Sequence, residues 1–160
     1  MPHPAGVTIR PVTAADLPAV VALRDALNRL ELAGTPHAPI VGVTLEQFTA
    51  AWGGTLDSPK HCWRLVEAAG RPVGFGLIYL MTPLSTPPGA YIHWTYLDEP
   101  YRRRGVGRLL LDHLLEWAKG QGVGRVELQF IEGNGQAAAF WPKVGFRPFA
   151  RRCVRYLGEK

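Results

Sequence analysis

The feature that most constrains this chain is a glycine-bearing turn that joins a strand to an amphipathic helix. The segment 96–111 reads YLDEPYRRRGVGRLLL, and apolar residues recur at helical spacing from Val106 as far as Ala118. The free N–H groups of a helix N-terminus, together with its dipole, attract anions. Gly105 and Gly107 let the backbone approach a phosphate, because no side chain stands in the way. The segment therefore predicts an anion site, and a plain glycine-rich connection with a solvated arginine run is the alternative.

Charge is distributed unevenly along the chain. The whole sequence has 18 Lys and Arg against 13 Asp and Glu, a net charge of +5. Residues 1–100 have a net charge of −2, whereas residues 101–160 have a net charge of +7. Such an asymmetry indicates an anionic partner for the basic half. Nucleic acid, membrane lipid and a phosphorylated cofactor all satisfy this requirement.

Length and composition favour one compact domain. A chain of 160 residues can bury a sizeable core, and we expect a single domain over residues 1–160. No apolar run reaches the length of a membrane span, and the first residues lack the apolar region of a signal peptide. Two cysteines, Cys62 and Cys153, are too few for a disulfide framework. We therefore expect a cytoplasmic protein with no membrane partner.

Hydrophobic periodicity and turn residues predict an α/β fold around one mixed sheet. The element order is a strand, two helices, a β-meander and then alternating strands and helices to the C-terminus. Capping boxes that begin at Thr13 and Thr44 mark the first two helices. The predicted helices cover about 17–32, 45–52, 106–119 and 135–144, and the predicted strands cover 7–12, 61–68, 73–81, 91–97 and 125–130. We also expect one or two closing strands in the FRPF and RRCVRYL segments.

Two segments resemble those of a known family. Other phosphate-binding motifs fail, because RRRGVG lacks the third glycine of the dinucleotide fingerprint and the Gly-Lys-Ser/Thr ending of a P-loop. Residues 102–107 match instead the R/Q-x-x-G-x-G/A acyl-CoA motif of the GNAT superfamily of N-acetyltransferases. Asn134, Ala137, Phe140, Gly145 and Phe146 fit that family's N-x-x-A-x-x-F-Y-x-x-x-GF segment. The chain thus resembles a GNAT domain over residues 7–157, which implies a mostly antiparallel sheet, about four flanking helices and a splayed fourth strand.

The resemblance implies acetyl-CoA as the acyl donor and no metal. Backbone N–H groups between Arg103 and Arg108 would hold the pyrophosphate, and the backbone of Tyr96 and Leu97 would bind the pantetheine arm and polarise the thioester. A substrate amine would attack the thioester directly. The residues that the resemblance assigns to the donor are Tyr96, Leu97, Arg102, Arg103, Arg104, Gly105, Val106, Gly107, Arg108, Asn134, Phe140, Trp141 and Lys143.

The resemblance leaves the proton-transfer groups open. Some GNAT enzymes carry their base on the fourth strand, at the positions that correspond to His93 and Tyr91 here. His93 is the better candidate because the pKa of free histidine is near neutral. The usual acid of the family is a tyrosine, and Trp141 occupies its position with a far weaker acid. Tyr156 or water would have to supply the proton, unless catalysis is lost.

The expected acceptor is a primary amine of a small molecule, a peptide or a protein. Acidic side chains in the first sixty residues would attract it, although a solvated acidic face has the same composition. These side chains are Asp25, Glu31, Glu46 and Asp57. The alternatives are a coenzyme A-binding protein without catalysis and a basic nucleic-acid-binding module, which the lack of interleaved aromatic residues disfavours. GNAT proteins are often dimers, so a homodimer is compatible with the resemblance.

Overall fold

The computed structural model describes residues 6–82 and 86–157, so the first residues, where no signal peptide is expected, lie outside it. Five strands and four α-helices make up the regular structure of these ranges. The strands are β1 (Val7–Pro11), β2 (His61–Ala68), β3 (Arg71–Met81), β4 (Gly89–Leu97) and β5 (Val126–Leu128). The helices are α1 (Leu17–Gly34), α2 (Leu45–Trp52), α3 (Val106–Gly120) and α4 (Gly135–Phe140). None of the helices in the described ranges is long and apolar enough to cross a bilayer.

The five strands form one sheet in the order in which they occur along the chain. β1 to β4 pair antiparallel, and β4 pairs parallel with β5. The parallel pair requires a crossover connection, and α3 supplies it. The predicted fold class, a mixed and mostly antiparallel sheet flanked by four helices, is confirmed.

The described residues form three apolar clusters, one under α1 and α2 and two under α3 on the other face of the sheet. Where α1 and α2 cover the sheet, the core contains Val20, Leu23, Phe48, Phe75 and Leu77. Where α3 covers it, the core contains Ile78, Ile92, Leu111, Leu114 and Trp141. The helices α1, α2 and α3 therefore bury apolar residues against one face of the sheet, as their periodicity in the sequence predicts.

The entry into α1 is fixed by an ion-pair network. The Arg10 guanidinium of β1 donates to both carboxylate oxygens of Asp16, at 2.8 Å each, and also binds Glu67 of β2. The Asp16 carboxylate further accepts from the backbone N–H and the hydroxyl of Thr13. This network joins the start of the helix to the first two strands and holds the pKa of Asp16 well below its usual range, chiefly through the hydrogen bonds from Arg10.

A β-bulge interrupts β4 at His93. Ile92 pairs with Ile78 and Trp94 with Leu77, so His93 is an extra residue without a partner on β3. The bulge resets the alternation of side chains along the strand. Ile92 therefore packs in the core under α3, whereas Trp94 packs in the core under α1 and α2. The His93 ring lies on the same side as Trp94, 4.2 Å from its ring centroid.

The prediction of closing strands in FRPF and RRCVRYL is wrong. Residues 146–157 form neither strand nor helix, and residues 147–157 are exposed throughout. Pro148 has no N–H to donate to a ladder, and β5, the neighbour that such strands would need, has only three paired residues. The predicted strand 125–130 is also longer than the observed β5, which covers Val126–Leu128 only.

Candidate active site

The sheet opens between its last two strands. β4 and β5 pair at only three positions, and their ladder ends where Ile92 pairs with Leu128. β4 continues to Leu97, whereas the chain leaves β5 at Leu128 and turns towards α4. Beyond Ile92, the edge of β4 that is opposite β3 therefore pairs with no strand in the described ranges. This divergence matches the splayed fourth strand that the resemblance implies.

A cavity of about 60 Å³ occupies this opening. Its walls come from α1, from β4, from the chain that follows β5 and from α4. His93 and Trp94 line it on the α1 side of the sheet, and Ile92 and Trp141 line it from the core under α3. The cavity thus connects the two faces of the sheet through the gap between the strands.

The turn before α3 has the backbone conformation of an anion-binding loop. Arg103 and Gly105 both adopt left-handed conformations, with φ of 57° and 83°. Turns that alternate between handednesses direct successive N–H groups into one concavity. The first donor of α3 into its own ladder is the Leu109 N–H, which bonds the Gly105 carbonyl at 3.0 Å, so the three N–H groups before it are free of that ladder. Arg103, Arg104 and Arg108 are exposed around this turn.

Arg102 differs from the other three arginines, because its guanidinium is held by the chain. Its Nε donates to the carbonyl of Leu97 and its Nη1 to the side chain of Gln136, both at 2.6 Å. The guanidinium also lies over the Tyr96 ring, 5.4 Å from the centroid. Arg102 therefore joins the end of β4 to α4 across the opening of the sheet.

His93 lies in a wall of aromatic rings. Its ring is 4.2 Å from Trp94, 5.0 Å from Trp52 and 5.8 Å from Tyr79, measured between centroids. Burial lowers the pKa of His93 to about 4, and the positive charge of Arg24 contributes in the same direction. His93 is therefore a neutral imidazole at pH 7, with its ring at the cavity.

The structure separates the other two candidates for proton transfer from this cavity. The Tyr91 ring packs on Tyr79 at 5.6 Å and does not line the cavity. Burial raises the pKa of Tyr91, so its phenol is protonated at neutral pH and cannot serve there as a base. The Tyr156 hydroxyl donates to the carbonyl of His37, in the connection between α1 and α2, at 3.0 Å.

Several predicted donor-binding residues meet at the α4 side of the opening. Asn134 is buried, caps α4 by accepting from the Ala137 N–H at 3.1 Å, and lines the cavity. Trp141 is buried and packs edge-on against Phe140 and Phe146. Phe140 also lies beside the first turn of α3. Lys143 is exposed in the 3-10 turn Pro142–Val144 that follows.

Of the four acidic residues predicted to attract an amine, only Glu31 reaches the cavity. It lines the cavity together with His93, and burial raises the pKa of its carboxyl against the opposing charge of Arg24. Asp25 faces a groove on the outer side of α1, and Glu46 and Asp57 are exposed.

Sequence reasoning missed Arg24 and Asn28, the polar neighbours of Glu31 on α1. The guanidinium of Arg24 lies over the Trp94 ring, 5.1 Å from its centroid. The signal was present, because positions 24, 28 and 31 share one side of a helix whose apolar stripe includes Val20. Polar residues inside an apolar stripe indicate a site rather than a solvated face.

The fold and the site thus define a class of protein: an α/β domain whose sheet opens beside the N-terminus of a helix. The model of the Acetyltransferase (GNAT) family matches residues 25–146. The N-alpha-acetyltransferase RimI of Mycobacterium tuberculosis is 35% identical over 112 residues, which cover 68% of each chain. The chain therefore belongs to the GNAT acetyltransferase family, and the resemblance seen in its motifs is confirmed.

Two further comparisons define the limits of the similarity. The L-ornithine N5-acetyltransferase NATA1 of Arabidopsis thaliana is 40% identical over 72 residues, which cover 44% of this chain and only 32% of that protein. The chain therefore matches about a third of the length of this relative. The crystal structure of a single-site mutant of the BH1408 protein from Bacillus halodurans has a TM-score of 0.79 at 22% identity, covering 94% of this chain and 99% of that one. At that identity the likeness shows the fold alone.

Proposed function

We propose that this protein is a single-domain enzyme that transfers an acetyl group from acetyl-CoA to a primary amine. The observation that carries the proposal is the position of the opening: the β4–β5 ladder ends at Ile92, one residue before the bulge at His93. The free edge of β4 then leads directly to the turn with free N–H groups before α3. One elongated molecule with an anionic end and a thioester end fits both features.

The residues along this path suit the parts of acetyl-CoA. Backbone N–H groups from Arg103 to Arg108 would receive the pyrophosphate, with Arg103, Arg104 and Arg108 adding charge. At the open edge of β4, where the Leu97 carbonyl already accepts from Arg102, the backbone of Tyr96 and Leu97 would bind the pantetheine amides as a neighbouring strand would. Asn134, Phe140, Trp141 and Lys143 would line the opposite side. In this proposal Arg102 is a positioning residue, because its hydrogen bonds to Leu97 and Gln136 hold the walls of the opening together.

The reaction is a direct attack of the amine nitrogen on the thioester carbon. The C–N bond forms, the C–S bond breaks, the amide and coenzyme A leave, and the proton lost by nitrogen passes through His93 to solvent. An imidazole with a pKa of about 4 cannot keep a proton taken from an alkylammonium ion. The amine therefore enters as the free base. Formation of the C–N bond makes the protons on its nitrogen acidic, and His93 then accepts one of them.

Protonation of the leaving thiolate needs no dedicated side chain in this proposal. A thiol has an ordinary pKa of about 8.5, so its anion is a tolerable leaving group near neutral pH and takes its proton from water. Trp141 replaces the tyrosine that commonly serves as the acid in the family, and the Tyr156 hydroxyl is bonded to His37. We therefore assign this proton to water rather than to Tyr156.

The named activities of the relatives suggest the first acceptors to try: α-amino groups from the N-alpha-acetyltransferase RimI and ornithine from NATA1. Nucleic acid binding has less support. Of the four arginines at the start of α3, Arg102 is bonded to Leu97 and Gln136, and Arg108 pairs with Asp112 at 2.8 Å. Arg108 stays exposed despite this pair, so Arg103, Arg104 and Arg108 are the arginines of the turn that an anion can still approach, fewer than a phosphate-tracking surface uses.

The experiment is release of the coenzyme A thiol from acetyl-CoA, followed with a thiol reagent across a panel of amino acids, polyamines, aminoglycosides and peptides. We expect amine-dependent release that exceeds hydrolysis without amine. Binding of acetyl-CoA without turnover of any amine would contradict the enzymatic proposal and leave a coenzyme A-binding protein. Absence of acetyl-CoA binding would contradict the whole proposal.

A further inference from the structure

A group of polar side chains lies beside the cavity on α1, and two of them have no part in the proposed mechanism. Arg24, Asn28 and Glu31 follow one another at spacings of four and three residues, so they share one side of the helix. The Arg24 guanidinium and the His93 imidazole contact the same indole, at 5.1 Å and 4.2 Å from the Trp94 centroid. The group therefore borders the place where the amine would react.

The hydrogen-bond donors of this group are buried and have no acceptors in the described part of the chain. Arg24 Nε, Arg24 Nη1 and Asn28 Nδ2 are all inaccessible to solvent and bond to no described atom. The ion pairs among the described residues involve other arginines. Buried polar groups are almost always paired in proteins, whereas the Arg24 guanidinium has the charges of Asp25 and Glu31 near it but no acceptor for two of its buried donor atoms.

The chemistry of the unpaired atoms defines what would satisfy them. All three are donors, and the guanidinium is a cation, so the complementary group accepts several hydrogen bonds and carries negative charge. A carboxylate meets this requirement, since a guanidinium and a carboxylate pair side by side. A polycation does not meet this requirement, because Arg24 would repel its second positive charge.

The opposite charge lies further along the same helix. Glu31 is seven residues beyond Arg24, a rise of about 10 Å along an α-helix, and it lines the cavity with His93. Asn28, between them in sequence, lines the surface groove of about 410 Å³ on the outer side of α1, which also contains Asp25. A positive end beside Glu31 and a negative end beside Arg24 describe one molecule with an amine and a carboxylate several bonds apart.

We propose that the acetyl acceptor is a small primary amine that also carries a carboxylate, with the carboxylate bound by Arg24 and Asn28 and the amine beside His93 and Glu31. This inference rests on the proposed acetyl transfer and names the class of its acceptor. It makes Arg24 and Asn28 specificity-determining residues.

Three acceptors with the same amine and alkyl chain test the proposal: 6-aminohexanoate, hexylamine and cadaverine, which end in carboxylate, methyl and ammonium. Their kcat/KM values are measured for the wild type, for Arg24→Met and for Arg71→Met. The third protein loses the same charge from an exposed position at the start of β3. We expect the wild type to prefer 6-aminohexanoate over hexylamine by roughly tenfold or more, as a charged hydrogen-bonded pair provides, with cadaverine poorest. In Arg24→Met, the ratio of kcat/KM for 6-aminohexanoate to kcat/KM for hexylamine falls close to one, because KM for 6-aminohexanoate rises. In Arg71→Met, this ratio stays at the wild-type value.

Equal kcat/KM for 6-aminohexanoate and hexylamine, or a preference that survives Arg24→Met, overturns the carboxylate site and leaves acetyl transfer standing. If none of the three amines is acetylated, calorimetric titration of 6-aminohexanoate into the protein with acetyl-CoA decides. Binding lost in Arg24→Met and retained in Arg71→Met supports the site even though turnover fails, and equal or absent binding overturns it. Asn28→Leu, which removes the amide and keeps the branched shape of the side chain, gives the same comparison should Arg24→Met not fold.

Discussion

At the scale of single residues, the site depends on side chains whose surroundings change their chemistry. His93 is neutral because aromatic rings and Arg24 surround it, so it differs from a free histidine that titrates near pH 6.5. Arg102 carries the motif's first charge, yet the chain itself uses that charge to join β4 to α4. Residue type alone therefore understates what these positions do.

Replacing His93 with glutamine tests its role as the proton acceptor. We expect kcat to fall about 100-fold, the usual contribution of a general base, with no change in the Kd for acetyl-CoA. His61→Gln is the matched control, because His61 packs on Tyr79 in the same aromatic wall but does not line the cavity. Equal kcat values for His93→Gln and the wild type would remove His93 from the mechanism.

The pH dependence of the wild type follows from the lowered pKa of His93. An imidazole with a pKa of about 4 stays deprotonated between pH 5 and 8, so it adds no inflection to the kcat/KM profile in that range. The rate instead rises with pH as more of the amine becomes free base. A plateau with an inflection near pH 6.5, absent from His93→Gln, would show that burial does not lower this pKa.

Gly107 tests the donor site without disturbing the fold. An added methyl group there would lie 3.8 Å from the Phe140 ring, an ordinary contact, so Gly107→Ala is expected to fold with equal or higher thermal stability. The same methyl group would stand where the pyrophosphate is to approach, and we expect the Kd for acetyl-CoA to rise at least tenfold. Gly120→Ala, near the end of the same helix with open space around it, serves as control. Equal affinities for the two variants would place the donor elsewhere.

At the scale of elements, two sets of contacts, one at each end of α1, fix the position of this helix in the fold. At its N-terminal end, Asp16 binds Arg10 and Thr13. At its C-terminal end, the backbone of Gly34 lies directly against that of Gly133, before α4, and the Gly133 N–H donates to the Thr35 hydroxyl at 3.0 Å. The position of Arg24 and Glu31 beside β4 depends on both.

Asp16→Asn is expected to lower the free energy of unfolding by about 1–3 kcal/mol at pH 7, the range for hydrogen bonds to a charged group. Because the pKa of Asp16 is lowered in the folded state, its contribution is complete well above the ordinary value of 3.8 and is lost progressively as pH falls from there towards the lower pKa of the folded state. Urea unfolding at pH 7 and pH 3 should therefore show a smaller difference from the wild type at pH 3. Asp57→Asn, at an exposed position, is the control, and an Asp16→Asn protein no less stable than it would contradict the account.

Gly133→Ala tests the contact between α1 and the segment before α4. A side-chain carbon at Gly133 would collide with the backbone of Gly34 and the side chain of Thr35, and we expect a loss of about 1–3 kcal/mol in thermal or urea unfolding. Gly135→Ala, two residues on with open space around it, should be close to neutral. If both substitutions had the same effect, the close approach would not stabilise the fold.

At the scale of the whole molecule, the sequence predicts much of the fold because periodicity is local. The capping box at Thr44, the apolar stripe of α3 and the turn between the apolar runs of β2 and β3 each specify an element from its own residues. The closing strands failed because a strand needs a partner, and β5 pairs at three positions only. Likewise, nothing local to His93 announces the bulge, which is a property of its pairing with β3.

The site likewise contains parts that local sequence predicts and parts that depend on tertiary contacts. The turn at 102–107 was predicted from its glycines and arginines, and the structure adds the left-handed Arg103 that shapes it. Arg24 and Asn28 were missed, because their significance comes from the tertiary contact of α1 with Trp94. The uneven charge along the chain now has a structural counterpart: a basic turn at one end of the opening and mixed charges on α1 at the other.

The central claim is that acetyl-CoA binds along the free edge of β4 and on the turn before α3. Titrating acetyl-CoA into 15N-labelled protein and following the backbone amide signals by NMR tests it most directly. We predict the largest shifts for the amides of residues 95–97 and 103–108, with saturation at one equivalent. Shifts confined to the exposed arginine-rich segment 147–155, or no shifts at millimolar acetyl-CoA, would contradict the claim.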